Sequence, residues 1–316
     1  MAAVVPKVGL GVWKIPKEAT ADLVFEAIKI GVRAIDCACD YGNEVEVGQA
    51  LARAIAEGLV TRQELFITSK LWNTYHAQEH VELAARKSLS DLGLEYFDLY
   101  LIHFPIAQKF VPIEARYPPE WVHDPHGPNP RIEFSRVSYR ETWTAMEELK
   151  TKGLAKQIGV ANLNVQGLTE VFSYCRHRPD NLQIELHPYL VQEQLVAFAL
   201  REGLSVTAFS PLGASSYIEL GMASDVGALE EPTVKSIAAK YGKTPAQVVL
   251  RWHLHRGVSV IPKSSKIERI RENNDIHDFC LASDEVKEIS ALDRKKRFND
   301  PGVFAVGMGG AIPIFD

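Results

Sequence analysis

Four polar residues stand where apolar runs end, and their types suit delivery of a proton to a carbonyl oxygen. Asp36 closes the run Val32 to Ile35, Tyr41 follows in the next loop, Lys70 closes Leu65-Phe66-Ile67-Thr68-Ser69, and His103 closes Asp98-Leu99-Tyr100-Leu101-Ile102. A charge at the end of an apolar strand is costly to desolvate unless a partner stands near it, and Asp36 is the natural partner for Lys70. An ammonium beside a phenol favours phenolate, so Lys70 is expected to lower the Tyr41 pKa from about 10 toward the range of a useful acid. His103 would hydrogen-bond the oxygen of a substrate carbonyl. Singly, these residues read as a cap, a snorkelling lysine, rim packing and a core histidine. Together they mark the ends of three successive strands.

A second constellation follows the run Val258-Ser259-Val260-Ile261. Pro262, Lys263, Ser264 and Ser265 lead into a helix carrying Arg269, Glu272 and Asn273, with Ser265 and Glu268 spaced as a capping box. Free backbone N–H groups, the helix dipole and these cations make a phosphate site. Asn162, Gln183, Glu185 and His187 end two further strands and suit gripping an amide or a sugar hydroxyl. The histidine pairs 123/126 and 253/255 have no third ligand at metal spacing, so no metal site is assigned.

Those residues need a scaffold that gathers strand ends onto one face. Strands are predicted over 8–12, 32–36, 65–70, 97–103, 155–160, 182–186, 204–209 and 258–261, separated by helical stripes such as Val81, Ala85, Leu89 and Leu92, or Tyr139, Trp143, Met146 and Leu149. Ser138 with Glu141 and Thr244 with Gln247 mark helix starts. Eight strands alternating with helices imply a (β/α)8 barrel, and 316 residues accommodate one such domain over 1–316. An open dinucleotide-binding sheet would carry a third glycine after Gly9-Leu10-Gly11, and Val12-Trp13-Lys14 stands there instead. P-loop, H-E-x-x-H and G-x-S-x-G motifs are also missing. Residues 105–137 break the rhythm with seven prolines together with Phe110, Tyr117 and Trp121, as a lid or binding loop would. A net charge of −5 and a pI near 6.1 offer no attraction to nucleic acid or an anionic membrane, and no 18-residue apolar run or targeting pattern is present. Four cysteines without a C-x-x-C pair suit free thiols in a reducing compartment, and a cytoplasmic location is expected.

At these residues the chain resembles the aldo-keto reductase superfamily nearly end to end. The matching stretches include Val8-Gly-Leu-Gly-Val-Trp-Lys14, Asp40-Tyr-Gly-Asn-Glu44, Phe66-Ile-Thr-Ser-Lys-Leu-Trp72, Asp98-Leu-Tyr-Leu-Ile-His-Phe-Pro105, Ile158-Gly-Val-Ala-Asn162, Gln183-Ile-Glu-Leu-His-Pro-Tyr189, Ser210-Pro-Leu-Gly213 and Ile261-Pro-Lys-Ser264. The resemblance implies a barrel that binds NADPH, with NADH possible, across its mouth. It makes Asp36, Tyr41, Lys70 and His103 a catalytic tetrad with Tyr41 as proton donor. Asn162 and Gln183 would hold the nicotinamide carboxamide, and Phe209, where a tyrosine is usual, would stack on the ring. Ser210, Leu212, Lys263, Ser264, Ser265, Arg269, Glu272 and Asn273 would contact the rest of the cofactor. The loop from Phe104 and the tail Arg297-Phe-Asn-Asp-Pro301 are most like the D-xylose (aldose) reductases of fungi, which implies substrate contacts from Trp13, Asp40, Trp72, Phe104 and Asn299. The stretch Lys263-Ser-Ser-Lys-Ile-Glu-Arg269 is similar to plant aldose-6-phosphate and mannose-6-phosphate reductases. A sugar phosphate is therefore the alternative substrate, a non-catalytic redox-sensing barrel or a hydrolase or isomerase the alternative activity, and a monomer or homodimer the expected assembly.

Overall fold

The computed structural model describes residues 5–213, 217 and 227–315. Eight parallel strands run in the order β1 (Leu10–Gly11), β2 (Ala34–Asp36), β3 (Phe66–Leu71), β4 (Phe97–Ile102), β5 (Ala155–Ala161), β6 (Asn181–Glu185), β7 (Ser205–Phe209) and β8 (Val258–Val260). The backbone preceding β1 then bonds to β8, Gly9 N to Val260 O and Val260 N to Lys7 O, both at 2.9 Å, so the sheet closes into a barrel. All eight expected strands are present, with ends shifted by at most two residues: most are shortened where backbone pairing stops before the apolar run does, while β3 and β5 end one residue later and β6 starts one residue earlier than expected.

The glycines that failed as a nucleotide fingerprint have a packing role. A Cβ on Gly11 would stand 2.9 Å from Ile261 O, and one on Gly9 would stand 3.1 Å from the Ala34 Cβ. They let the first strand lie tight between its two neighbours.

Helices cover the outside of the barrel because their apolar stripes need burial. Val81, Ala85, Leu89 and Leu92 are all buried on Gln78–Leu92, as are Trp143, Met146 and Leu149 on Tyr139–Thr151. The boxes at Ser138/Glu141 and Thr244/Gln247 form as expected. The one expected at Ser265/Glu268 does not. Ser264 Oγ instead accepts from Lys266 N (3.1 Å) and donates to Lys266 O (3.2 Å), a tight turn that delays the helix to Ile267–Asn274 and leaves Ser265 exposed.

Inside the barrel, side chains two apart on a strand share a face, and this places the chemistry. Ala34, Phe66, Leu99 and Leu101 form one apolar cluster, with Val5 packed against it. Advancing by two residues toward the carboxyl ends replaces Ala34 by Asp36, Phe66 by Thr68 and then Lys70, and Leu101 by His103. The interior therefore changes from hydrocarbon at its closed end to charge at its mouth. No helix among the described residues is long and apolar enough to cross a membrane.

Candidate active site

The mouth opens on a cavity of about 540 Å³. Asp36, Tyr41 and His103 line it, while Lys70 stands fully buried and touches the cavity only through its neighbours. The Lys70 ammonium donates to Asp36 Oδ1 (2.5 Å), to Cys37 O (2.8 Å) and to the Tyr41 hydroxyl (3.0 Å), which exhausts its three protons. Gln183 Nε2 donates to the other Asp36 oxygen at 2.7 Å. The carboxylate is thus held from two sides by residues far away in sequence, and the ammonium has one direction left in which to act, toward the phenol.

The structure reverses one expectation about that phenol. Burial, together with the carboxylates of Asp36 and Asp40, pushes the Tyr41 pKa well above the ordinary phenol range. Asp36 neutralises the ammonium that was expected to lower it, so Tyr41 keeps its proton throughout the neutral range.

His103 Nδ1 lies 3.1 Å from Asp40 Oδ1, out of line for a good hydrogen bond, and its ring meets Trp72 and Tyr41 edge-on at 5.4 and 6.0 Å. That contact leaves Nε2 as the ring nitrogen free to serve a substrate oxygen. Asn162, whose left-handed backbone (φ +57°) turns the chain after β5, donates Nδ2 to His103 O at 2.9 Å. Its Oδ1 is buried without a partner, although the residue lines the cavity.

Of the other residues selected from sequence, Trp13, Asp40, Trp72, Phe104, Phe209, Ser210, Leu212, Lys263 and Asn299 also line the cavity. Ser264 and Ser265, in the turn after β8, and Arg269, Glu272 and Asn273, on the helix that follows, lie outside it. Arg269 is exposed and makes no hydrogen bond or ion pair among the described residues, whereas Glu272 accepts from Thr244 Oγ1 at 2.7 Å. Glu185 and His187 do not reach the cavity as expected, being fully buried and bonded to each other at 2.8 Å.

Sequence reasoning missed part of the wall. Trp121, from the proline-rich loop, packs edge-on against Trp72 (5.0 Å), Phe104 (5.1 Å) and Phe304 (5.3 Å), and Trp72 Nε1 donates to Glu120 O at 3.0 Å. Tyr217 stacks on Phe298 (5.6 Å) and tilts against Trp13 (5.8 Å), and Met308 completes the tail side. An aromatic residue inside a long proline-rich loop was the only available signal for Trp121.

Beside this site Glu44 is buried, accepting from Ser69 Oγ (2.6 Å) and Ser88 Oγ (2.8 Å), and burial pushes its carboxyl up to about 7. The ordinary value is 4.5, so between these two pH values the folded chain holds a proton that the unfolded chain has lost. Stability therefore falls as pH rises through this interval and levels off above it. Glu44→Gln should remove this segment of the pH dependence and raise the melting temperature at pH 8 by a few degrees. Calorimetric scans of both proteins at acid and alkaline pH check it, and parallel curves would refute it.

The closed eight-stranded barrel, with lysine, aspartate, tyrosine and histidine gathered at its carboxyl mouth, defines a cofactor-dependent reductase class. The aldo/keto reductase family model matches residues 7–294, and the chain belongs to that family. It is 53% identical over 299 residues, 94% of this chain and 92% of the relative, to a "Probable NAD(P)H-dependent D-xylose reductase" of Emericella nidulans. It is 50% identical over 313 residues, 98% and 96% of the two chains, to the NAD(P)H-dependent D-xylose reductase of Aspergillus niger. Among solved structures it is similar to the aldose reductase from Schistosoma japonicum, with a TM-score of 0.85 and 37% identity covering 96% and 94% of the chains. It is also similar to an aldo-keto reductase of Bombyx mori in complex with NADP, with a TM-score of 0.82 and 38% identity covering 94% and 92%.

Proposed function

We propose that this chain reduces the C1 carbonyl of an open-chain aldose such as D-xylose to the alditol, with NADPH as the preferred reductant and NADH as a second. The observation that carries the reading is the Lys70 ammonium, which joins Asp36 at 2.5 Å and the Tyr41 hydroxyl at 3.0 Å at the edge of a cavity large enough for a sugar. The names of the fungal relatives supply the substrate class.

The residues present suit a nicotinamide cofactor. Asn162 Oδ1 is an unpaired buried acceptor, Gln183 spends its amide nitrogen on Asp36 and keeps its oxygen, and both side chains line the cavity as receivers for a carboxamide. Phe209 offers an aromatic face with no hydroxyl. When bound, the cofactor supplies the hydride. The chain's own work is to orient the carbonyl and complete the alcohol: Tyr41 gives its proton to the substrate oxygen, Lys70 steadies the phenolate that remains, and His103 donates a hydrogen bond to the same oxygen. Solvent returns the proton to Tyr41. Trp13, Trp72, Phe104 and Trp121 enclose the reacting end, while Asp40 and Asn299 present polar atoms to the sugar hydroxyls.

Steady-state rates with D-xylose, glucose 6-phosphate and mannose 6-phosphate, each with both cofactors, test the reading. D-xylose should give the highest kcat/KM. Turnover confined to the phosphates would replace the substrate, and no cofactor oxidation with any aldehyde would remove the enzymatic reading.

Cofactor choice is read at Arg269. An exposed guanidinium with no partner among the described residues, on the helix after β8, suits the 2′-phosphate that distinguishes NADPH from NADH. Arg269→Ala should weaken NADPH by roughly tenfold to a hundredfold and NADH hardly at all, and salt should weaken NADPH preferentially in the unaltered chain. Fluorescence titrations decide, and equal losses for both cofactors would assign Arg269 to the adenosine or the fold.

A further inference from the structure

Glu185 ends β6 with its carboxylate fully buried, and both oxygens are used on the tail 113 and 114 residues away. Oε1 accepts from Phe298 N (2.8 Å) and contacts His187 Nε2 (2.8 Å), while Oε2 accepts from Asn299 N (2.9 Å). One carboxylate therefore grips two consecutive backbone amides. Phe298 stacks on Tyr217, whose hydroxyl hydrogen-bonds with Ser210 Oγ (2.8 Å) and with Asn299.

Two residues earlier on the same face of the same strand, Gln183 holds Asp36. Successive same-face positions on a strand are roughly 7 Å apart. Strand β6 thus fixes the separation between the Asp36–Lys70–Tyr41 group and the tail that carries Asn299 into the cavity. We propose that Glu185 is a positioning residue for aldose recognition, setting where Asn299 stands relative to the reacting carbonyl without itself touching substrate. The inference rests on the aldose-reducing reading and adds to it the element that aligns the two halves of the site.

The test is Glu185→Gln. Its amide keeps one acceptor oxygen and turns N–H groups toward a backbone N–H, so one of the two tail bonds is lost. The Phe298 and Asn299 amides, which both donate to Glu185 in the unaltered enzyme, should exchange about tenfold faster or more in the variant. KM for D-xylose should rise about tenfold with kcat within about threefold, while KM for benzaldehyde, which has no hydroxyl for Asn299 to meet, and the affinity for NADPH stay within about twofold. Asn299→Ala should reproduce this selective rise, and adding Glu185→Gln to it should raise KM no further, because the two act through one contact. Unchanged exchange, equal losses on both aldehydes, or additive effects in the double variant would each overturn the proposal. Failure of the underlying functional reading would show differently, as an unaltered enzyme that does not reduce D-xylose.

Discussion

Tyr41→Phe abolishes measurable aldose reduction and leaves NADPH affinity within a few fold of the unaltered enzyme. Burial and two carboxylates keep this phenol protonated at neutral pH, and Lys70 stands 3.0 Å away to stabilise the anion it becomes. Phenylalanine retains the ring and its edge contact with His103, so packing is preserved while the proton is lost. General acid catalysis contributes on the order of 10²- to 10⁴-fold, which sets the expected fall in kcat. Stopped-flow turnover beside a fluorescence titration separates the two effects. Retention of more than a tenth of the rate would take Tyr41 out of the acid role.

Lys70→Met suppresses turnover to a similar degree and also destabilises the fold. The ammonium has no exposure to water, and its removal leaves Asp36, itself buried, with only the Gln183 amide as partner. Breaking a buried pair in this way costs about 3 to 5 kcal/mol. Beside an uncompensated Asp36 the Tyr41 pKa moves further up, so any residual activity extends to higher pH before the phenol ionises. The double variant Asp36→Asn with Lys70→Met should recover most of the stability and none of the turnover. Denaturant titrations and pH–rate profiles check the two halves independently. An unchanged profile in a variant with measurable activity would show that the cation does not tune the phenol, and unchanged stability would show that Asp36 is not left uncompensated.

Much of this arrangement was legible from spacing. Alternating runs such as Ala34–Asp36, Phe66–Lys70 and Leu99–His103 place every second residue inside the barrel, and a polar residue ending each run must then face the mouth. The strands, their order and the placing of Asp36, Lys70 and His103 at strand ends follow from that local periodicity together with the rule that parallel strands with intervening helices curl into one closed sheet, whereas most other cavity residues were expected only from the family resemblance. What the sequence could not decide is which polar group meets which. Gln183 reaches Asp36 across 147 residues, Glu185 turns from the cavity to hold the backbone of Phe298 and Asn299, and the proline-rich loop folds Trp121 onto Trp72. The direction of the Tyr41 pKa shift belongs here too, because it is set by the balance between a desolvated phenol, two carboxylates and one already neutralised ammonium. Periodicity acts through the strand itself, whereas desolvation and hydrogen-bond pairing depend on distances that exist only once the barrel has closed.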